Sequence, residues 1–177
     1  MRVLLELDYK DYNENGNIGK RPSARGIIIN GNKIAMVYSY KYDYYKFPGG
    51  GIEKDESNID ALIREVKEET GLEVIKDSIR EYGLIVKKDK GKYEDIFIQE
   101  NYYYLCNCKN ILHEKKLDSY EEDEQFSLKW ASAREIIDTN MTHDHFDKNF
   151  KDKYMHMLER EITVINKLVE EGYIKLN

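Results

Sequence analysis

Three glutamates, Glu65, Glu68 and Glu69, stand in a short stretch whose apolar residues recur at helical spacing. At about 100° per residue they share an arc of roughly 100° on one helix. Carboxylates three and four residues apart are surface neighbours and repel, so the patch costs stability unless a cation sits on it. Glu69 falls roughly 20° from Leu62 on the helical wheel, which places the patch at the border of the apolar stripe. Partly buried oxygen donors of this kind suit Mg2+ or Mn2+. Such an ion neutralises charge developing on a leaving phosphate and lowers the pKa of a bound water. Taken alone, three glutamates on a helix are more often a solvated face.

Their surroundings argue for chemistry. Arg64 precedes Glu65, and its guanidinium is available to Glu56 or to a phosphate. Gly49, Gly50 and Gly51 carry no side chain beyond hydrogen, so backbone there can approach a metal–phosphate centre and offer a carbonyl.

The elements that must position these residues are legible in outline. Residues 2–7 read as a strand, and the polar residues 9–20 as a loop. Residues 24–29 and 33–40 form a hairpin around Asn30-Gly31-Asn32. Residues 47–51 read as a turn. A helix runs over 57–70, with Ser57 and Asp60 as a capping-box-like start and Gly71 as its C-terminal stop. Strands follow at 81–87 and 94–108, joined by a hairpin loop. Residues 118–125 read as an acidic loop, 127–131 as a strand and 133–139 as a helix. Residues 146–172 hold a long final helix or two. Helices alternating with hairpins imply a mixed sheet between helical layers.

From Gly50 the spacing is five residues, Glu56, seven residues, then Arg64-Glu65-Val66-Lys67-Glu68-Glu69-Thr70-Gly71-Leu72. This resembles the box of the Nudix hydrolase superfamily (MutT-like), G-x5-E-x7-R-E-U-x-E-E-x-G-U with U bulky and aliphatic, at every specified position. The resemblance implies an α/β/α sandwich with a mixed β-sheet: one domain over residues 1–177, with a core at about 20–140 and a C-terminal helical extension at 145–173. It implies a pyrophosphohydrolase that uses Mg2+ or Mn2+ to cleave a nucleoside diphosphate-linked small molecule by water attack on phosphorus. By position, Glu65, Glu68 and Glu69 look like the metal-ligand and base set, and Gly50 like a carbonyl ligand. Glu56 and Arg64 look like the pair that steadies loop and helix, with Gly49, Gly51 and Gly71 in support. Glu65 or Glu68 would assist the water.

Family members often supply a further acid from outside the box. Among Glu121, Glu122, Asp123 and Glu124, Glu124 is the expected metal ligand, with Glu100 second. Arg25, Tyr44 and Lys46 are the expected substrate contacts. Tyr38, Tyr40, Tyr42 and Tyr44 alternate, so one strand face could stack on a base. No proline follows Pro48, which speaks against the family's ADP-ribose type. A tyrosine off register and an absent arginine stretch speak against its diadenosine polyphosphate and coenzyme A types.

Composition limits the partners. The 177 residues carry a formal net charge of −6, so a small phosphorylated substrate is expected and a nucleic-acid partner is not. No apolar stretch is long enough to cross a membrane. Cys106 and Cys108 sit on one expected strand, too close to staple a fold, and read as reduced thiols in a cytoplasmic protein. His143-Asp144-His145 reads as loop, not as a zinc site. The amphipathic C-terminal segment packs on the core or on a second copy of the chain, which leaves a homodimer open.

Overall fold

The computed structural model describes the backbone of residues 1–142 and 148–177, and side chains over 1–141 and 154–177. Elements run in the order β1 (Val3–Asp8), β2 (Ile18–Ile27), β3 (Ile29–Asn30), β4 (Lys33–Ser39), β5 (Tyr44–Lys46), β6 (Gly49–Gly51), α1 (Asn58–Thr70), β7 (Leu72–Val74), β8 (Arg80–Asp89), β9 (Ile96–Leu105), β10 (Cys108–Leu112), α2 (Ser119–Asp123), β11 (Phe126–Ala131), α3 (Ala133–Thr142) and α4 (Lys148–Glu170). His143, Asp144 and His145 lie outside the described residues.

The largest sheet has the order β1-β8-β9-β2-β6. Pairs β1–β8 and β2–β9 are parallel, while β8–β9 and β2–β6 are antiparallel. Strand β4 organises a second sheet, with β11 along it and β3 and β5 pairing with successive parts of it. Strands β7 and β10 form a ribbon.

Helix α1 forms where expected. The Ser57 hydroxyl caps it, accepting from the Asp60 N–H, and Gly71 ends it at φ 76°. Leu62 and Val66 are wholly buried against Ala24 and Tyr104, on one face of the large sheet. Each contributes about 1.5–3 kcal/mol of apolar burial. Ile136 of α3 and Val164, Ile165 and Leu168 of α4 pack on Ile27, Ile85 and Tyr103 on the other face. The result is an α/β/α sandwich with a mixed sheet. Among the described residues, no helix is long and apolar enough to cross a membrane.

Four expectations need correction. Residues 18–20 belong to β2 and not to a loop, because β9 offers a partner from Ile18↔Ile96 through Ile27↔Leu105. Gly49–Gly51 is a strand, since Ser23, Ala24 and Arg25 pair with it. The strand expected to reach Cys108 breaks at Cys106 and Asn107: the Cys106 N–H donates to the Ile27 carbonyl, and the ribbon begins beyond. The acidic loop contains α2, which Asp118 and Glu121 close with a reciprocal capping box. Helix α4 packs on the core, one of the two placements expected for it, with Val164, Ile165 and Leu168 fully buried.

Candidate active site

Arg64 ties the acidic helix to the loop before it. Its Nε and Nη2 both reach the Glu56 carboxylate at 2.9 Å, a bidentate pair. Nη1 donates to Glu65 at 2.8 Å and to Glu68 at 3.1 Å, and Nη2 also reaches the Gly51 carbonyl at 3.1 Å. The Arg64 bond holds Glu56 below its ordinary pKa, and the Glu56 bond holds Arg64 above its own. The expected steadying pair is thus the hub of the site.

Glu65 packs against the glycine strand. A Cβ built on Gly50 would fall 2.3 Å from Glu65 Oε2, so only glycine lets backbone and carboxylate come this close. Burial raises the Glu65 pKa, against the pull of Arg64, and the charge of Glu121 raises it further. Glu68 is the most open of the three, with 31% of its side chain exposed.

Glu69 is 1% exposed. One of its oxygens pairs with the Lys46 ammonium and the other accepts the Gly49 N–H at 2.8 Å. Burial pushes its pKa up to about 7, while Lys46 and the Gly49 N–H pull it down and Glu121 adds to the rise. A wheel position bordering the apolar stripe has become a core position.

Outside the helix, the charge of Glu121 acts on both Glu65 and Glu69. Glu121 is 4% exposed, and its carboxylate accepts from the Asp118 N–H and the Tyr120 hydroxyl. The expected Glu124 sits one turn on, with its oxygens taken by the hydroxyls of Tyr44, at 2.6 Å, and Tyr154. Glu100, the second candidate, accepts from the Tyr102 hydroxyl on β9.

Of the expected substrate contacts, two are internal. Tyr44 is 1% exposed and cannot stack on a base. Lys46 is paired with Glu69 and lies over the Phe126 ring. The alternating tyrosines do not share a strand face, because β4 ends at Ser39 and the chain turns through Asp43 at φ 55°.

Arg25 does reach a cleft. Its guanidinium donates to the Gly49 carbonyl at 3.1 Å and to Asn101 Oδ1 at 3.3 Å. Burial and then the charge of Arg160 lower its pKa. The cleft, about 270 Å³, is lined by Arg21, Arg25, Lys87, Asn101, His156 and Arg160 among others. Arg160 and Glu161 had no place in the sequence reading. A signal existed: Glu161 stands three, four and seven residues from Leu158, Ile165 and Leu168, on the apolar stripe of α4. Its carboxylate accepts the Phe47 N–H at 2.8 Å and an Arg160 bond at 2.9 Å.

Hard oxygen donors crowded in a desolvated place fit a divalent cation. Among the described residues no three acidic, histidine or cysteine side chains converge at ligand distance as they stand, since Arg64 and Lys46 occupy the carboxylates.

Fold and site together define a Nudix-type domain. The chain belongs to the NUDIX domain family, whose model matches residues 19–154. Over 90 residues it is 42% identical to the m7GpppN-mRNA hydrolase of Saccharomyces cerevisiae (strain ATCC 204508 / S288c), a match covering 50% of this chain and 9% of that protein. Over 94 residues it is 32% identical to the 8-oxo-dGTP diphosphatase of Buchnera aphidicola subsp. Schizaphis graminum (strain Sg), covering 45% of this chain and 70% of that one. A solved NUDIX hydrolase from Nitrosomonas europaea superposes with a TM-score of 0.53 at 18% identity, over 81% of this chain and 91% of its own, which speaks to the fold alone.

Proposed function

We propose that the protein is a metal-dependent pyrophosphohydrolase that cleaves a phosphoanhydride in a nucleoside diphosphate-linked small molecule. The observation that carries this reading is Arg64, which gathers Glu56, Glu65, Glu68 and the Gly51 carbonyl around one guanidinium beside the bare Gly50 backbone. The names of the yeast and Buchnera relatives, an mRNA-cap hydrolase and a nucleotide diphosphatase, support a nucleotide-type substrate.

Gly50, Glu65, Glu68 and Glu121 would hold Mg2+ or Mn2+, which neutralises charge on the phosphates and acidifies a bound water. Glu69 braces the glycine strand through the Gly49 N–H and is a positioning residue. Glu68, the most exposed of the three helix glutamates, accepts the proton of the attacking water. The water oxygen bonds to phosphorus, the bridging P–O bond breaks, and the leaving phosphate carries away the bond's electron pair. Arg64 keeps Glu65 and Glu68 in register with the loop.

Phosphorus NMR of products from a panel of nucleoside triphosphates, dinucleotides, nucleotide sugars and capped RNA tests the reading. Hydrolysis of at least one, abolished by EDTA, is expected. Glu65→Gln and Glu68→Gln should each slow it by about a hundredfold or more at unchanged melting temperature. Full activity in both variants would overturn the assignment. Capped RNA stays in the panel because of the 42% identity to the yeast enzyme.

A further inference from the structure

The cleft beside the glycine strand is cationic in a chain whose net charge is −6. Arg25 and Arg160 are 7% and 4% exposed, so these charges are built into the fold and are not solvated surface. Arg160 is paired with Glu161, and Lys87 with Asp89 at 2.6 Å. Arg21 and Arg25 form no ion pair among the described residues; Arg25 spends its donors on Asn101 and on the Phe47 and Gly49 carbonyls. Asn101 Oδ1 also accepts from Ser23 and from Arg160, which locks the two arginines to one acceptor. Two positive charges without a carboxylate at ion-pair distance among the described residues remain, at Arg21 and Arg25. At the buried Arg25, burial and Arg160 outweigh the charges of Glu161 and Glu69, so its charge is costly unless an anion completes it.

The place of the cleft relates it to the acids. β6 is the edge of the large sheet. Alternate residues of a strand face opposite sides. A Cβ at Gly50 would point at Glu65, and one at Gly51 would lie 3.5 Å from Arg21 Nε. One strand of bare backbone thus separates the carboxylates from the cationic cleft, and a substrate bent around this edge meets both.

We propose that the cleft binds a phosphomonoester of the substrate remote from the scissile anhydride. This rests on the hydrolase reading above and names what the far arm of the substrate carries. A phosphomonoester carries a charge of about −1.5 to −2 near neutral pH, which matches the two unpaired arginines. A base is a poorer occupant, because the His156 ring is already packed, tilted, on Tyr9 and the Tyr154 ring on Tyr42 and Tyr44. The volume of about 270 Å³ accommodates one substrate arm.

Isothermal titration of the full chain with inorganic phosphate, in EDTA, tests the site apart from catalysis. One saturable site is expected. Arg21→Gln and Arg25→Gln should each weaken it about tenfold, the scale of a lost charge-assisted hydrogen bond. Lys33→Gln, on the exposed start of β4, should leave it unchanged. Circular dichroism reports folding; if Arg25→Gln does not fold, the exposed Arg21 decides alone. No saturable binding, full binding in Arg21→Gln, or equal weakening in Lys33→Gln overturns the proposal. With no metal present and no box residue changed, that failure leaves the hydrolase reading intact, and inactive Glu65 or Glu68 variants leave the phosphate result intact.

Discussion

Lys46 and Glu69 form an ion pair in which the residues are 6% and 1% exposed. The pair joins β5 to the last turn of α1, and through the Gly49 N–H it also takes hold of β6. Three segments that must agree for the site to exist meet at one carboxylate.

Breaking this pair from one side leaves a buried charge alone. At pH 8, above the Glu69 pKa of about 7, Lys46→Met should cost about 3–5 kcal/mol in urea unfolding. The double variant Lys46→Met/Glu69→Gln should recover part of the loss, because neither charge is then stranded. A single variant as stable as the parent would show that the pair contributes nothing.

The same carboxylate makes stability depend on pH. Its pKa is about 7 in the fold against the ordinary 4.5, so the folded chain binds this proton more tightly. The contribution is full below about pH 4.5 and declines as pH rises through about 7. Melting of the metal-free protein between pH 5 and 8 should show that decline, and Glu69→Gln should flatten it. Equal slopes in the two proteins would remove Glu69 as the source.

Adjacent glycines should respond differently to one methyl group. At Gly50 the added Cβ falls 2.3 Å from Glu65 Oε2, so Gly50→Ala must displace the carboxylate. A catalytic group misplaced by about 1 Å costs roughly a hundredfold in rate. At Gly51 the nearest atom is 3.5 Å away, an ordinary contact, and Gly51→Ala should keep kcat within about threefold. Similar kcat values for the two variants would refute the close approach.

The two buried acids of the α2 region should separate by assay. Glu121→Gln keeps a side-chain oxygen for the Asp118 N–H but loses the charge felt by Glu65 and Glu69. It should weaken Mn2+ binding, read by electron paramagnetic resonance, by about tenfold or more. Glu124→Gln should leave Mn2+ binding alone and lower stability by about 1–3 kcal/mol through its tyrosine bonds. The reverse pattern would restore Glu124 as the outside ligand.

Much of the acidic centre was legible because its geometry is local. Ser57 and Gly71 mark the ends of α1, and a helical period alone determines the angles among Glu65, Glu68 and Glu69. The arrangement of Gly50, Glu56 and Arg64 follows from the same unbroken stretch of chain. Even the border position of Glu69 was visible on the wheel.

What the sequence could not disclose depends on pairings between distant segments. Gly49–Gly51 is a strand because β2 lies beside it, and nothing in three glycines says so. Glu121 and Glu124 are three residues apart in one acidic run, and only the docking of α2 against Tyr44 and Tyr154 gives them different neighbours. Lys46 reads as a substrate contact, and Arg160 and Glu161 have no place in the sequence reading, until β5 and α4 bury all three. Local spacing determined which acids share a helix face; burial, which decides what each charge must pair with, is a property of the packed layers.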